Sequence, residues 1–76
     1  MQIKPIASNM TELVTDGCTV LFSYETPVAA YTPTQGYVRT AKWYSQTTTR
    51  HINKWLDGVD AEEMPQEFFD NITGEA

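Results

Sequence analysis

Tyr44-Ser45-Gln46-Thr47-Thr48-Thr49-Arg50-His51-Ile52-Asn53-Lys54-Trp55-Leu56-Asp57-Gly58 is the stretch whose reading decides the fold, because both ends of a helix are written into it. Ser45 is a good N-cap, its hydroxyl placed to accept from a free amide of the first turn, with Thr47 as the alternative. Thr48, Ile52, Trp55, Leu56 and Val59 recur at i, i+4, i+7, i+8 and i+11, which gathers them on one side of a 3.6-residue period. Gly58 follows the last turn, where a residue free to take positive φ closes a helix, so the pattern predicts a helix over 46–57. Gln46, Arg50, Asn53, Lys54 and Asp57 fall on the opposite, solvated side. A helix of about three turns is marginal alone in water, so this one requires a surface to cover, and the segment before it is rich in strand formers.

In that segment Asp16-Gly17 separates Thr11–Thr15 from Cys18–Tyr24, a strong hairpin signal because a type I′ turn needs positive φ at both central positions. Pro27 opens a third strand, Val28–Thr32, and Gly36 ends the turn before a fourth, Tyr37–Tyr44. Alternation puts Cys18, Val20, Phe22 and Tyr24 on one face, which is expected to meet the helix. The fourth strand is not cleanly apolar on either side, which predicts one covered sheet face and one open face carrying aromatic and basic residues. Asp60-Ala61-Glu62-Glu63 has the form of a capping box, and Pro65 suits a first helical position before the apolar Phe68, Phe69 and Ile72.

The expected architecture is therefore α+β, in the order β-β-β-β-α-α: an antiparallel three- to four-stranded β-meander packed by one main α-helix plus a short C-terminal helix docked at its edge. It is a single domain over 1–76, with a lead-in at 1–10, the antiparallel sheet at 11–44, the main helix at 45–58 and the C-terminal helix at 60–73. With 76 residues there is room for one thin core, and a chain that is 41% hydrophobic and 12% aromatic has the material to fill it.

The formal net charge of −5 is unevenly placed. Residues 1–56 hold five bases against three acids, a net of +2, whereas residues 57–76 hold seven acids and no base. One cysteine, Cys18, excludes an internal disulfide, and the single histidine excludes the usual Cys/His zinc spacings. No run approaches the roughly 18 apolar residues of a membrane span, and the first residues lack the form of a signal peptide, so a cytoplasmic protein is expected.

No residue set forms a catalytic or metal-binding signature. His51 has threonines and arginine as neighbours, and the four glycines are isolated at turns or helix ends, so no cofactor is expected and the chain reads as a non-enzyme. The carboxylates Asp60, Glu62, Glu63 and Glu67 lack the alternating ligands and central glycine of a calcium loop. The basic and aromatic residues are the stronger surface signal, and Arg39, Trp43, Arg50 and Lys54 are the candidate partner-binding set, since Trp and Arg anchor protein interfaces. The alternative is a nucleic-acid-binding regulator that uses an aromatic and basic sheet face, a reading weakened by ten acids against five bases. An exposed aromatic face with an unprotected edge also points to a homodimer.

At Leu21-Phe22-Ser23-Tyr24-Glu25-Thr26-Pro27-Val28-Ala29, and again over Tyr44-Ser45, Thr47-Thr48 and Arg50 to Leu56, the chain resembles a group of small uncharacterised proteins encoded by bacteriophages. The resemblance covers roughly residues 12 to 72 and includes Met64-Pro65-Gln66-Glu67-Phe68-Phe69. It implies a phage origin and a host-cytoplasmic setting, and it carries no activity over to particular residues. By class analogy it implies binding to a host protein or complex, as host-takeover and anti-defence inhibitors do, including inhibitors of CRISPR complexes.

Overall fold

A computed structural model describes residues 2–15 and 17–72. Its elements are β1 (Gln2–Ala7), β2 (Met10–Thr15), β3 (Cys18–Ser23), β4 (Thr26–Thr32), β5 (Gly36–Thr40), α1 (Gln46–Leu56), β6 (Glu62–Met64) and α2 (Gln66–Ile72). The strands form one six-stranded sheet in the order β1-β2-β3-β4-β5-β6. The first five are antiparallel neighbours, and β6 runs parallel to β5. The class is α+β as expected, but the four-stranded meander is longer at both ends. The residues expected to be a lead-in are strand β1, paired with β2 from Gln2↔Val14 to Ala7↔Met10.

Helix α1 follows its local signals closely. Ser45 is extended at φ −163°, and its Oγ accepts from the Thr48 amide at 3.1 Å. At the other end Asp57 is the left-handed cap, its amide donating to the Asn53 carbonyl at 2.9 Å, and Gly58 continues in positive φ at 84°. Thr48, Ile52 and Leu56 are buried, while Val59 lies past the end of the helix and is exposed.

The faces of the sheet are reversed relative to expectation. Leu21 packs with Met10, Val28, Ala29, Ile52 and Leu56, and Ser23 bonds to α1, so α1 covers the Leu21/Ser23 side. Val20 points the other way and clusters with Ala30, Val38 and Phe69, with half-buried Phe22 against them, so α2 covers that side over the middle of the sheet. The C-terminal helix is thus on the opposite face and not at the edge, and neither sheet face is left wholly open. Alternation misleads at Val28, where the register slips between Leu21↔Ala29 and Phe22↔Pro27 and a bulged residue turns both Val28 and Ala29 towards α1.

Two further boundaries move for reasons that lie in side-chain bonding. Strand β5 ends at Thr40 and not at residue 44, because Thr40 Oγ1 accepts from the Lys42 amide at 3.1 Å and bends the chain away. The Asp60–Glu63 capping box starts no helix: Glu62–Met64 instead adds to the free edge of β5, making β5, α1 and β6 a parallel crossover unit. The last helix accordingly begins at Gln66, with Pro65 just before it, and the part of the expected 60–73 helix at residue 73 lies outside the described residues. Gln66 fastens α2 to the sheet, its Nε2 donating to the Pro27 carbonyl at 2.7 Å and its Oε1 accepting from Thr40 Oγ1 at 2.8 Å. Of the expected tight turn at residues 16 and 17, Gly17 has the required positive φ of 80°, and residue 16 lies outside the described residues.

Candidate functional site

The bend after Thr40 determines where the candidate side chains go. It turns Lys42 and Trp43 out of the sheet, and Trp43 is 72% exposed, the most exposed of the described large hydrophobic residues. Lys42 is held above the Tyr44 ring, with Nζ 5.0 Å from the centroid, at cation–π distance. Tyr44 packs against the α1-side core, and burial, with the Asp70 carboxylate adding to it, raises its hydroxyl pKa above the usual tyrosine range.

Between this loop, the end of β5, β6 and the first turns of α1 is a cleft of about 130 Å³, lined by Arg39, Lys42, Trp43, Thr48, Thr49 and Glu63 among others. Arg39 is half-buried. Its Nη1 donates to Asn53 Oδ1 at 3.2 Å, while its Nε is enclosed without an acceptor. Glu63 reaches this place because β6 pairs Glu63 with Arg39. The Thr48 amide and the Thr49 hydroxyl are already donated to Ser45.

Of the four residues singled out from sequence, Arg39 and Trp43 are brought together at this cleft. Arg50 and Lys54 are exposed, one turn apart on the outer side of α1, and are not among the cleft's lining residues. The sheet aromatics expected on an open face are partly engaged: Tyr37 packs edge-on against Trp55 at 5.8 Å and against Tyr31 at 4.9 Å. Trp55 donates to Glu12 Oε2 at 2.7 Å, tying α1 to β2.

His51 has a partner that its sequence neighbours do not announce. Its Nδ1 is 2.7 Å from Ser23 Oγ, and Ser23 Oγ is 3.1 Å from Thr48 Oγ1, which in turn accepts from Ser45 Oγ at 3.2 Å. Together these contacts form one hydroxyl chain from the helix cap to the imidazole. Ser23 is only 2% exposed. The free Cys18 is half-buried in β3. Among the described residues no three His, Cys, Asp or Glu side chains converge on a metal-sized site. No described helix is long and apolar enough to cross a membrane. The acidic residues of the last segment are dispersed, with Glu62 and Glu63 on the β6 edge, Glu67 exposed on α2, and Asp70 half-buried where it accepts from Gln66 at 3.3 Å.

A second hollow, of about 280 Å³, is apolar and lies on the α2 side of the sheet where that helix does not reach, lined by Ile3, Thr11, Leu13, Phe22, Tyr24 and Glu25.

Residues 1–71 match a family described as a family of unknown function (DUF8033), and the chain belongs to that family. No curated protein and no solved structure matches it.

Proposed function

We propose that this family member is a small phage-encoded, non-enzymatic protein that binds a host protein or complex in the host cytoplasm, as a host-takeover or anti-defence inhibitor. Inhibitors of CRISPR complexes fall within that class. The observation that carries the reading is Trp43, an indole 72% exposed on a loop fixed at its base by the Thr40 bend and beside the cleft that Arg39 lines. Holding a large apolar side chain in water has no benefit for folding, whereas Trp and Arg are the residues that most often dominate the binding energy of protein interfaces. The phage setting is supported by the two sequence motifs, over Leu21 to Ala29 and Tyr44 to Leu56, that resemble phage proteins.

The test is capture of partners from host lysate by the tagged protein, after each variant has been verified as folded. Trp43→Ala and the pair Arg50→Glu with Lys54→Glu are expected to lose the captured protein, while Glu62→Lys with Glu67→Lys, both exposed and outside the cleft, retains it. Loss only with the Glu62/Glu67 pair moves the contact to the acidic segment. Capture that falls steeply with salt and disappears on nuclease treatment replaces the protein partner by nucleic acid.

A further inference from the structure

We infer that the cleft between the end of β5, β6 and the start of α1 receives the carboxylate of an acidic side chain on a protein partner, with Arg39 as its anchor and Trp43 as the apolar rim; this rests on the protein-binding reading above. An enclosed cationic donor without an acceptor is uncommon, because the group loses water and gains nothing in return. Arg39 is in that state at Nε, with Nη1 alone engaged by Asn53. Nε has no free surface, so a carboxylate engages it, with Nη2 as the second prong of a fork, only as the enclosing side chains part to admit it. Lys42, exposed at the mouth, supplies a second charge.

The size and charge of the cleft select the ligand. Its 130 Å³ is room for the end of one side chain. Arg39 and Lys42 against Glu63 leave a single net positive charge, matched to a carboxylate more than to a phosphate, and the chain's overall charge of −5 opposes a polyanion. Glu63, opposite Arg39 in the β5–β6 register, places a like charge at the cleft that weakens the hold on a partner carboxylate.

Titration of the ¹⁵N-labelled protein with three probes tests this: a blocked peptide with one glutamate flanked by leucines, its glutamine twin, and an oligo-dT. The glutamate peptide is expected to move the Arg39 Nε–H and Trp43 indole signals and to leave the Trp55 indole, held by Glu12, in place. The glutamine twin binds at least about tenfold more weakly, the scale of one charge-assisted hydrogen bond. Arg39→Lys, which keeps the charge and loses the fork, weakens the glutamate peptide by a similar factor. Lys42→Ala weakens it less, and Glu63→Gln tightens it, with the Trp55 signal reporting an intact fold in each variant. The inference is overturned by equal binding of the two peptides, by indifference to both Arg39→Lys and Lys42→Ala, by no movement at millimolar peptide, or by tighter oligo-dT binding at the same signals. A peptide that binds while no host protein is captured leaves the cleft and removes the proposed function. A host protein whose capture ignores Arg39→Lys and Lys42→Ala does the reverse.

Discussion

At Ser23 the distance alone is open to two chemical interpretations, and burial decides between them. A serine hydroxyl 2.7 Å from a histidine nitrogen is the spacing of an activated nucleophile. Here, however, the hydroxyl is 2% exposed, no described group bonds the far nitrogen of His51, and neither residue lines any of the hollows described above. What the contact does is clasp β3 to α1 through a hydroxyl chain that begins at the helix cap Ser45. Removing the hydroxyl leaves Thr48 and His51 each short of a partner in a nearly dry place. Ser23→Ala is therefore expected to lower unfolding free energy by about 1–3 kcal/mol, against a few tenths for Thr47→Ala at an exposed helix position. Urea denaturation measures both, and equal midpoints for the two variants would refute the clasp. The partner was not legible in sequence, since Ser23 and His51 meet only when the helix lies across the strand.

The two helices divide the core between opposite sheet faces, and truncation separates their contributions. Leu56 on α1 and Phe69 on α2 are both buried, in different clusters. Leu56→Ala is expected to cost about 2–5 kcal/mol and Phe69→Ala about 3–5 kcal/mol. A cost below about 1 kcal/mol for either would mean that its helix does not pack as described. The limits of α1 were legible because Ser45, Asp57 and Gly58 act on their own neighbours, and the buried set Thr48, Ile52 and Leu56 followed from spacing alone. Strand β6 was not legible. Its three residues gain strand geometry only from the β5 edge, and the local capping-box signal points elsewhere. The face reversal has the same origin: Leu21, Val20 and Phe22 are all apolar, so alternation cannot say which side α1 takes, and the Val28 bulge hides the parity of β4. For the cleft, Arg39 and Trp43 stood out by residue type, whereas Glu63 comes to it only through that unforeseen strand.

Across the whole molecule the question is what the sheet does with its two free edges. β1 is exposed along its length, with Ile3 65% exposed beside the apolar hollow, which by itself invites pairing with a second copy. Yet the strand carries Lys4 and, near its middle, Pro5, which has no amide hydrogen to donate, and its register breaks between Pro5 and Ala7. The opposite edge, β6, is three residues long and bears Glu62 and Glu63. A charge, a proline, a bulge and a short acidic strand are the devices by which sheets resist edge-to-edge growth. The sequence points to a homodimer through an exposed aromatic face and an unprotected edge; with α1 and α2 on the two faces and both edges blunted, pairing through β1 is disfavoured. Light scattering at rising concentration is expected to return the monomer mass of 8.6 kDa for the native chain. Lys4→Val with Pro5→Val restores both the donor and an uncharged edge, and should give a mass that climbs with concentration. A native chain that already scatters as a dimer, unchanged by the double substitution, would show that copies meet somewhere other than β1, with the apolar hollow formed by Ile3, Leu13 and Phe22 the next surface to probe.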